Sequence, residues 1–173
     1  TASSSVSFTI HDGSVGYGVF MPNSSYVVTE GDQVRVIGVV GHFNGLAQIN
    51  ADSIAFISAN NTLPAPKVIT QLSEVTESDL NRFNNCYVIN AAQWTNAGSG
   101  FSVDVTNGTD TLVLRVDKDA TDVFAAPAPI GNFDLIGIGG QFDNSAPDNS
   151  GYQLLPRYLA DIIPALPLTY DLA

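Results

Sequence analysis

The chain has 173 residues, 45% of them hydrophobic, which is enough for one ordinary domain or two small ones with a real core and excludes a disordered chain. Six basic residues stand against 17 acidic ones, a net charge of −11, which repels phosphate backbones and anionic membranes at long range. No run approaches the length of a membrane-spanning helix, and Cys86 is the sole cysteine, so no intrachain disulfide can form.

Taken in chain order, the predicted elements are strands. VSFTI runs into the turn HDGSVG, GYGVF into MPNSS, and QVRVIGVVG into HFNGL, before AQINADSIAFI. After residue 85 come CYVINAAQW, FSVDV, TLVLRV, FDLIGIGGQF and YQLLPRYLADII. Val, Ile, Phe and Tyr alternate with polar residues within these runs, and Gly, Asn, Asp and Pro punctuate them, as strands and turns require. Helix signals are scarce; the best is TQLSEVTESDLNRF, where Thr70 or Ser73 caps a short helix and Thr76–Asp79 starts another turn. LPLTYDLA closes the sequence, with Leu166, Leu168, Tyr170 and Leu172 on one side of a two-residue repeat.

Two of the runs are copies. VRVIGVVGHFNG at 34–45 aligns with FDLIGIGGQFDN at 133–144, Gly38 with Gly137 and Gly41 with Gly140, at a constant offset (137 − 38 = 99). FTIHDG pairs with VDVTNG, each a strand entering a glycine turn, and Gln48-Ile49 pairs with Gln153-Leu154. Glycine inside a strand marks a bulge or a sharp bend, as at the corner of a small barrel. The expected class is all-β, with two small five-stranded barrels in tandem.

GDQVRVIGVVGHFNGLAQI, the linker NTLPAPKVIT and GQFDNSAPDNSGYQLLPRYLADI resemble paired OB-fold domains of secreted and surface Bacteroidetes proteins, the type found beside extracellular nucleases. The resemblance spans roughly residues 6–163 and implies five strands per barrel, with any helix between the third and the fourth. It divides the chain into an N-terminal OB-like barrel at 1–58, a linker with a short helix at 59–80, a C-terminal OB-like barrel at 81–163 and a tail strand at 164–173. Under that pattern the second copy runs Cys86–Trp94, Phe101–Val105, Thr111–Val116, Phe133–Phe142 and Tyr152–Ile162. The first copy has counterparts of only the last four, so its first strand is missing.

Open sheet edges carry unpaired backbone groups that invite another strand. The reading that follows is a non-catalytic extracellular module that assembles head-to-tail, as a fibre subunit would. Leu166, Leu168, Tyr170 and Leu172 are the donor side chains, and Phe8, Ile10, Val36 and Val39 form the acceptor. The partner is a second copy or another domain of a larger chain. The alternatives are an OB face that binds single-stranded nucleic acid or glycan, and an accessory domain of a secreted nuclease or surface protein. His42, Phe43, Phe142 and Tyr152 are the candidates for a ligand face. The basic residues Arg35, Lys67, Arg82, Arg115, Lys118 and Arg157 form no cluster in the sequence, which weighs against nucleic acid.

No nucleophile elbow or phosphate-cradling motif is present, and no catalytic residue is assigned. DKDATD places Asp117, Asp119 and Asp122 close together but lacks the glycine and the glutamate of an EF-hand loop. A simpler Ca²⁺ site stays open there beside a solvated acidic loop, and no other cofactor is expected. Asn23, Asn60 and Asn107 fit the N-glycosylation pattern, which matters only in a eukaryotic secretory route.

Overall fold

The computed structural model describes residues 5–165. It is all-β, 50% strand and 9% helix, with a closed five-stranded barrel and a second sheet. By contact the chain divides into two compact units. The first holds the chain up to Pro66 together with Thr76–Leu80 and Gly139–Gly151; the second holds Lys67–Val75, Asn81–Ile138 and the chain from Tyr152.

The first unit is built on four strands: β1 (Ser5–His11), β2 (Gly16–Pro22), β3 (Gln33–Phe43) and β4 (Leu46–Ser58). Their order in the sheet is β1-β2-β4-β3, with β2 parallel to β4 and the other pairs antiparallel. β1 and β2 join through HDGSVG. Asp12 accepts hydrogen bonds from the backbone N–H groups of Ser14 and Val15, and Gly13 takes φ +102°. β4 carries an extra residue opposite the Ile37–Gly38 step of β3, a bulge that bends the pair. Gly38 is required there. A Cβ on it would lie 2.2 Å from the Asn50 carbonyl oxygen and 2.7 Å from the Ala51 Cα.

The second unit contains β5 (Lys67–Ile69), β6 (Leu80–Val88), β7 (Gly100–Thr106), β8 (Thr111–Asp117), β9 (Phe133–Gln141), β10 (Tyr152–Leu155) and β11 (Ile162–Pro164), apart from Leu80 and the end of β9, which cluster with the first unit. The sheet order is β11-β9-β10-β8-β7-β6-β5, and a further β9–β6 pairing closes β6, β7, β8, β10 and β9 into the barrel. A short helix, α1 (Thr121–Ala125), lies between β8 and β9. Phe83, Val103, Val105, Leu114, Leu135 and Leu154 form the centre of its core, each fully buried.

The boundaries differ from expectation in two places. The strand expected at Cys86–Trp94 runs instead from Leu80 to Val88, and residues 91–93 form a 3₁₀ turn. Asn81 and Phe83 point inward, Asn85 takes φ +52°, and the inward parity resumes at Cys86. The Asn-Asn pair that resembles a turn is therefore a kink within one strand. The strand expected at Tyr152–Ile162 is broken after Leu155, where Arg157 and Asp161 clamp a turn. The helix expected in TQLSEVTESDLNRF reduces to a 3₁₀ turn at Leu72–Glu74, closed by a capping box between Gln71 and Glu74. No helix among the described residues is long and apolar enough to cross a membrane.

Candidate strand-acceptor site

The two sheets share one plan. β1-β2-β4-β3 repeats the order β7-β8-β10-β9, with the parallel pair in the same place. The registers agree residue by residue. Phe8 faces Val19 where Val103 faces Leu114, and Ile10 faces Tyr17 where Val105 faces Leu112. Val19 pairs with Ile49 where Leu114 pairs with Leu154. Asn107 closes its turn as Asp12 does, accepting from the N–H groups of Thr109 and Asp110, and Gly108 takes φ +86°. Gly137 matches Gly38, since a Cβ there would lie 3.0 Å from the Leu155 backbone.

The second sheet has one strand more. β6 pairs with β7 on one side and with β9 on the other, and among the described residues nothing does this between β1 and β3. The consequence is visible in burial. Val103, Val105, Phe133 and Leu135 are fully shielded, whereas their counterparts Phe8, Ile10, Val34 and Val36 are only half-buried. Val40, which corresponds to the buried Gly139, is 63% exposed. Only Val19 and Ala51 of the first unit's described apolar residues are buried. The edge strand β3 is also apolar on its other face, through Ile37 and Val39. A long, exposed, apolar edge of this kind is a template for strand pairing.

The proposed acceptor residues do not all lie together. Phe8, Ile10 and Val36 share the face that carries Val19, while alternation along β3 puts Val39 on the opposite face. The proposed donors Leu166, Leu168, Tyr170 and Leu172 lie outside the described residues.

Of the ligand-face candidates, His42 and Phe43 end β3, and Phe142 follows β9; all three are exposed. The Asp143 N–H donates to the Asn44 carbonyl at 2.7 Å, tying the segments that carry Phe43 and Phe142. Tyr152 is half-buried at the start of β10. Asp117, Asp119 and Asp122 are not gathered into a metal site, and no group of three His, Cys, Asp or Glu side chains among the described residues could hold an ion. Asp117 instead accepts from the Asp119 N–H, and Asp122 from the Leu159 N–H at 2.8 Å.

Other singled-out residues are structural. Arg157 makes a two-pronged bond to buried Asp161, Nε to Oδ2 at 3.0 Å and Nη2 to Oδ1 at 2.9 Å. Trp94 packs edge-on against Phe101 and donates Nε1–H to the Ala126 carbonyl at 2.8 Å. Cys86 is buried, and desolvation pushes its thiol up to about 12, so it is not a nucleophile.

Two polar arrangements have no local sequence signal. His11 Nε2 lies 3.2 Å from Asp79 Oδ1, while His11 Nδ1 accepts from the Gly13 N–H. The Gly13 N–H thus engages Nδ1, while Nε2 faces the Asp79 carboxylate. Asp143 accepts from the N–H and Oγ–H of Ser145 and of Ser150. These donors, led by the Ser150 hydroxyl, lower its pKa to about 2. A carboxylate whose folded-state pKa is depressed contributes stability above the ordinary carboxylate range and loses it as pH falls. Urea midpoints of the native protein should therefore drop between about pH 4 and pH 2, and Asp143→Asn should weaken that dependence.

No protein-family model matches the chain, and no curated protein or solved structure matches it either.

Proposed function

We propose that this chain is a non-catalytic, extracellular structural module of two OB-type barrels, like those of secreted Bacteroidetes proteins, whose first barrel is completed by a strand from a neighbouring copy. The carrying observation is the four-stranded sheet that repeats the order of the closed barrel without its β6. The donor is residues 166–173, with Leu168, Tyr170 and Leu172 entering the half-buried face beside Phe8, Ile10 and Val36. Strand addition satisfies backbone groups on both open edges and seats alternate side chains in pockets. Three such side chains contribute on the order of 5–8 kcal/mol before ordering costs. Pro167 has no N–H to donate, so full pairing starts at Leu168. Donor and acceptor are different surfaces, so the contact is head-to-tail and propagates instead of closing.

Deleting residues 166–173 should convert a concentration-dependent oligomer into a folded monomer, as read by sedimentation. The peptide LPLTYDLA, added in trans, should bind that monomer and block assembly of the intact chain. An unchanged oligomeric state together with no peptide binding would remove the reading.

A further inference from the structure

We infer that the strand taken up by the first unit has a fixed direction: it runs antiparallel to both β1 and β3, its first residues beside Val40 and its last beside Val34. This rests on the strand-acceptor reading above and specifies how the acceptor selects its partner.

The direction is set by the filled copy of the same sheet. The Gly139 N–H donates to the Asp79 carbonyl at 2.9 Å, and the Cys86 thiol lies 3.4 Å from the Phe133 carbonyl. The chain therefore descends from residue 79 to residue 86 as β9 climbs from 133 to 139, an antiparallel pair. Beyond Cys86, β6 turns onto β7, where Tyr87 faces Thr106 and Val88 faces Val105 in antiparallel register. The offset that aligns Gly137 with Gly38 puts Val40 in the place of Gly139 and Val34 in that of Phe133. The matched hairpins put His11 in the place of Thr106 and Ile10 in that of Val105.

β1 and β3 run the same way, because each is antiparallel to one member of the parallel pair β2 and β4. A single strand antiparallel to one is therefore antiparallel to both. Entry in the opposite direction would make two parallel ladders at once, with slanted and slightly weaker bonds. β6 has 9 residues, close to the length of 166–173, so one such segment spans the slot. The occupant is thus an extended segment of a second copy, entering with Leu166 near Val40 and leaving with Leu172 near Val34.

Paired cysteines in the full chain test this. The matched pairs are Val40→Cys with Leu166→Cys, and Val34→Cys with Leu172→Cys. The swapped pairs are Val40→Cys with Leu172→Cys, and Val34→Cys with Leu166→Cys. The ends of the slot are roughly 20 Å apart along a strand, far beyond disulfide reach, so only one set can bridge. Cys86 is buried and gives no background. Mild oxidation should give a ladder of linked chains on a non-reducing gel for the matched pairs and none for the swapped pairs. A ladder from the swapped pairs overturns the direction while leaving strand uptake standing. Crosslinked monomers without a ladder, or no crosslink in any pair, overturn both.

Discussion

Phe83→Ala should lower the stability of the second unit by about 3–5 kcal/mol, the cost of removing a fully buried aromatic ring and leaving its space unfilled. Phe83 is the inward anchor of β6, the strand that closes the barrel between β7 and β9. Its loss removes contacts from the centre of the apolar cluster and weakens the closing strand at the same time. Urea unfolding followed by tryptophan fluorescence reads this directly, because Trp94 packs in the same core. In the isolated chain, Phe8→Ala should cost less than half as much, since Phe8 is only half-buried. Equal losses from the two substitutions would show that the first sheet is as well filled as the second.

The second large effect is expected at Gly38. A Cβ there meets backbone atoms of the partner strand, and backbone cannot rotate away as the end of a side chain can. Gly38→Ala should therefore destabilise the first unit by about 3 kcal/mol, the upper range for overpacking. Gly18→Ala is the control, because a Cβ on Gly18 finds its nearest neighbours at 3.4 Å, ordinary contact distance. It should change stability by less than about 1 kcal/mol. Amide exchange across β3 and β4 distinguishes local opening from global unfolding. If both alanine variants are equally stable, the bulge opposite Ile37–Gly38 is misplaced.

Both effects trace to features partly legible in the sequence. The alternation of Val, Ile and Phe with polar residues gives nearly every strand, because a half-buried sheet imposes a two-residue period. Gly38 and Gly137 stand out because the repeat aligns them, and a glycine inside a β-branched run signals close backbone approach. The repeat also exposes the unequal strand count of the two sheets. Other features depend on tertiary context. Asn84-Asn85 has the composition of a turn, yet neighbouring strands hold it inside β6. Val39 is equivalent to Val36 by type, but three residues apart along a strand means opposite faces. His11 and Asp79 meet across a sequence separation that no local pattern encodes. The Asp117–Asp122 run reads as an acidic cluster, whereas each of Asp117 and Asp122 is turned to a backbone N–H instead of a shared centre.

The discontinuity of the first unit has a consequence for how the protein is made. A ribosome delivers β1 to β4 early, but Thr76–Leu80 and Gly139–Gly151, which belong to the same unit, come later. Until then His11 lacks Asp79, Gly16 lacks the Ser78 backbone against which it packs, and the Asn44 carbonyl lacks the Asp143 N–H. At ~5–20 residues per second, the stretch from Pro66 to Gly151 takes about 4–17 s to synthesise. Throughout that interval the nascent chain displays an apolar edge strand without the later segments of its own unit. The β1–β4 sheet thus emerges well before the segments that complete its unit.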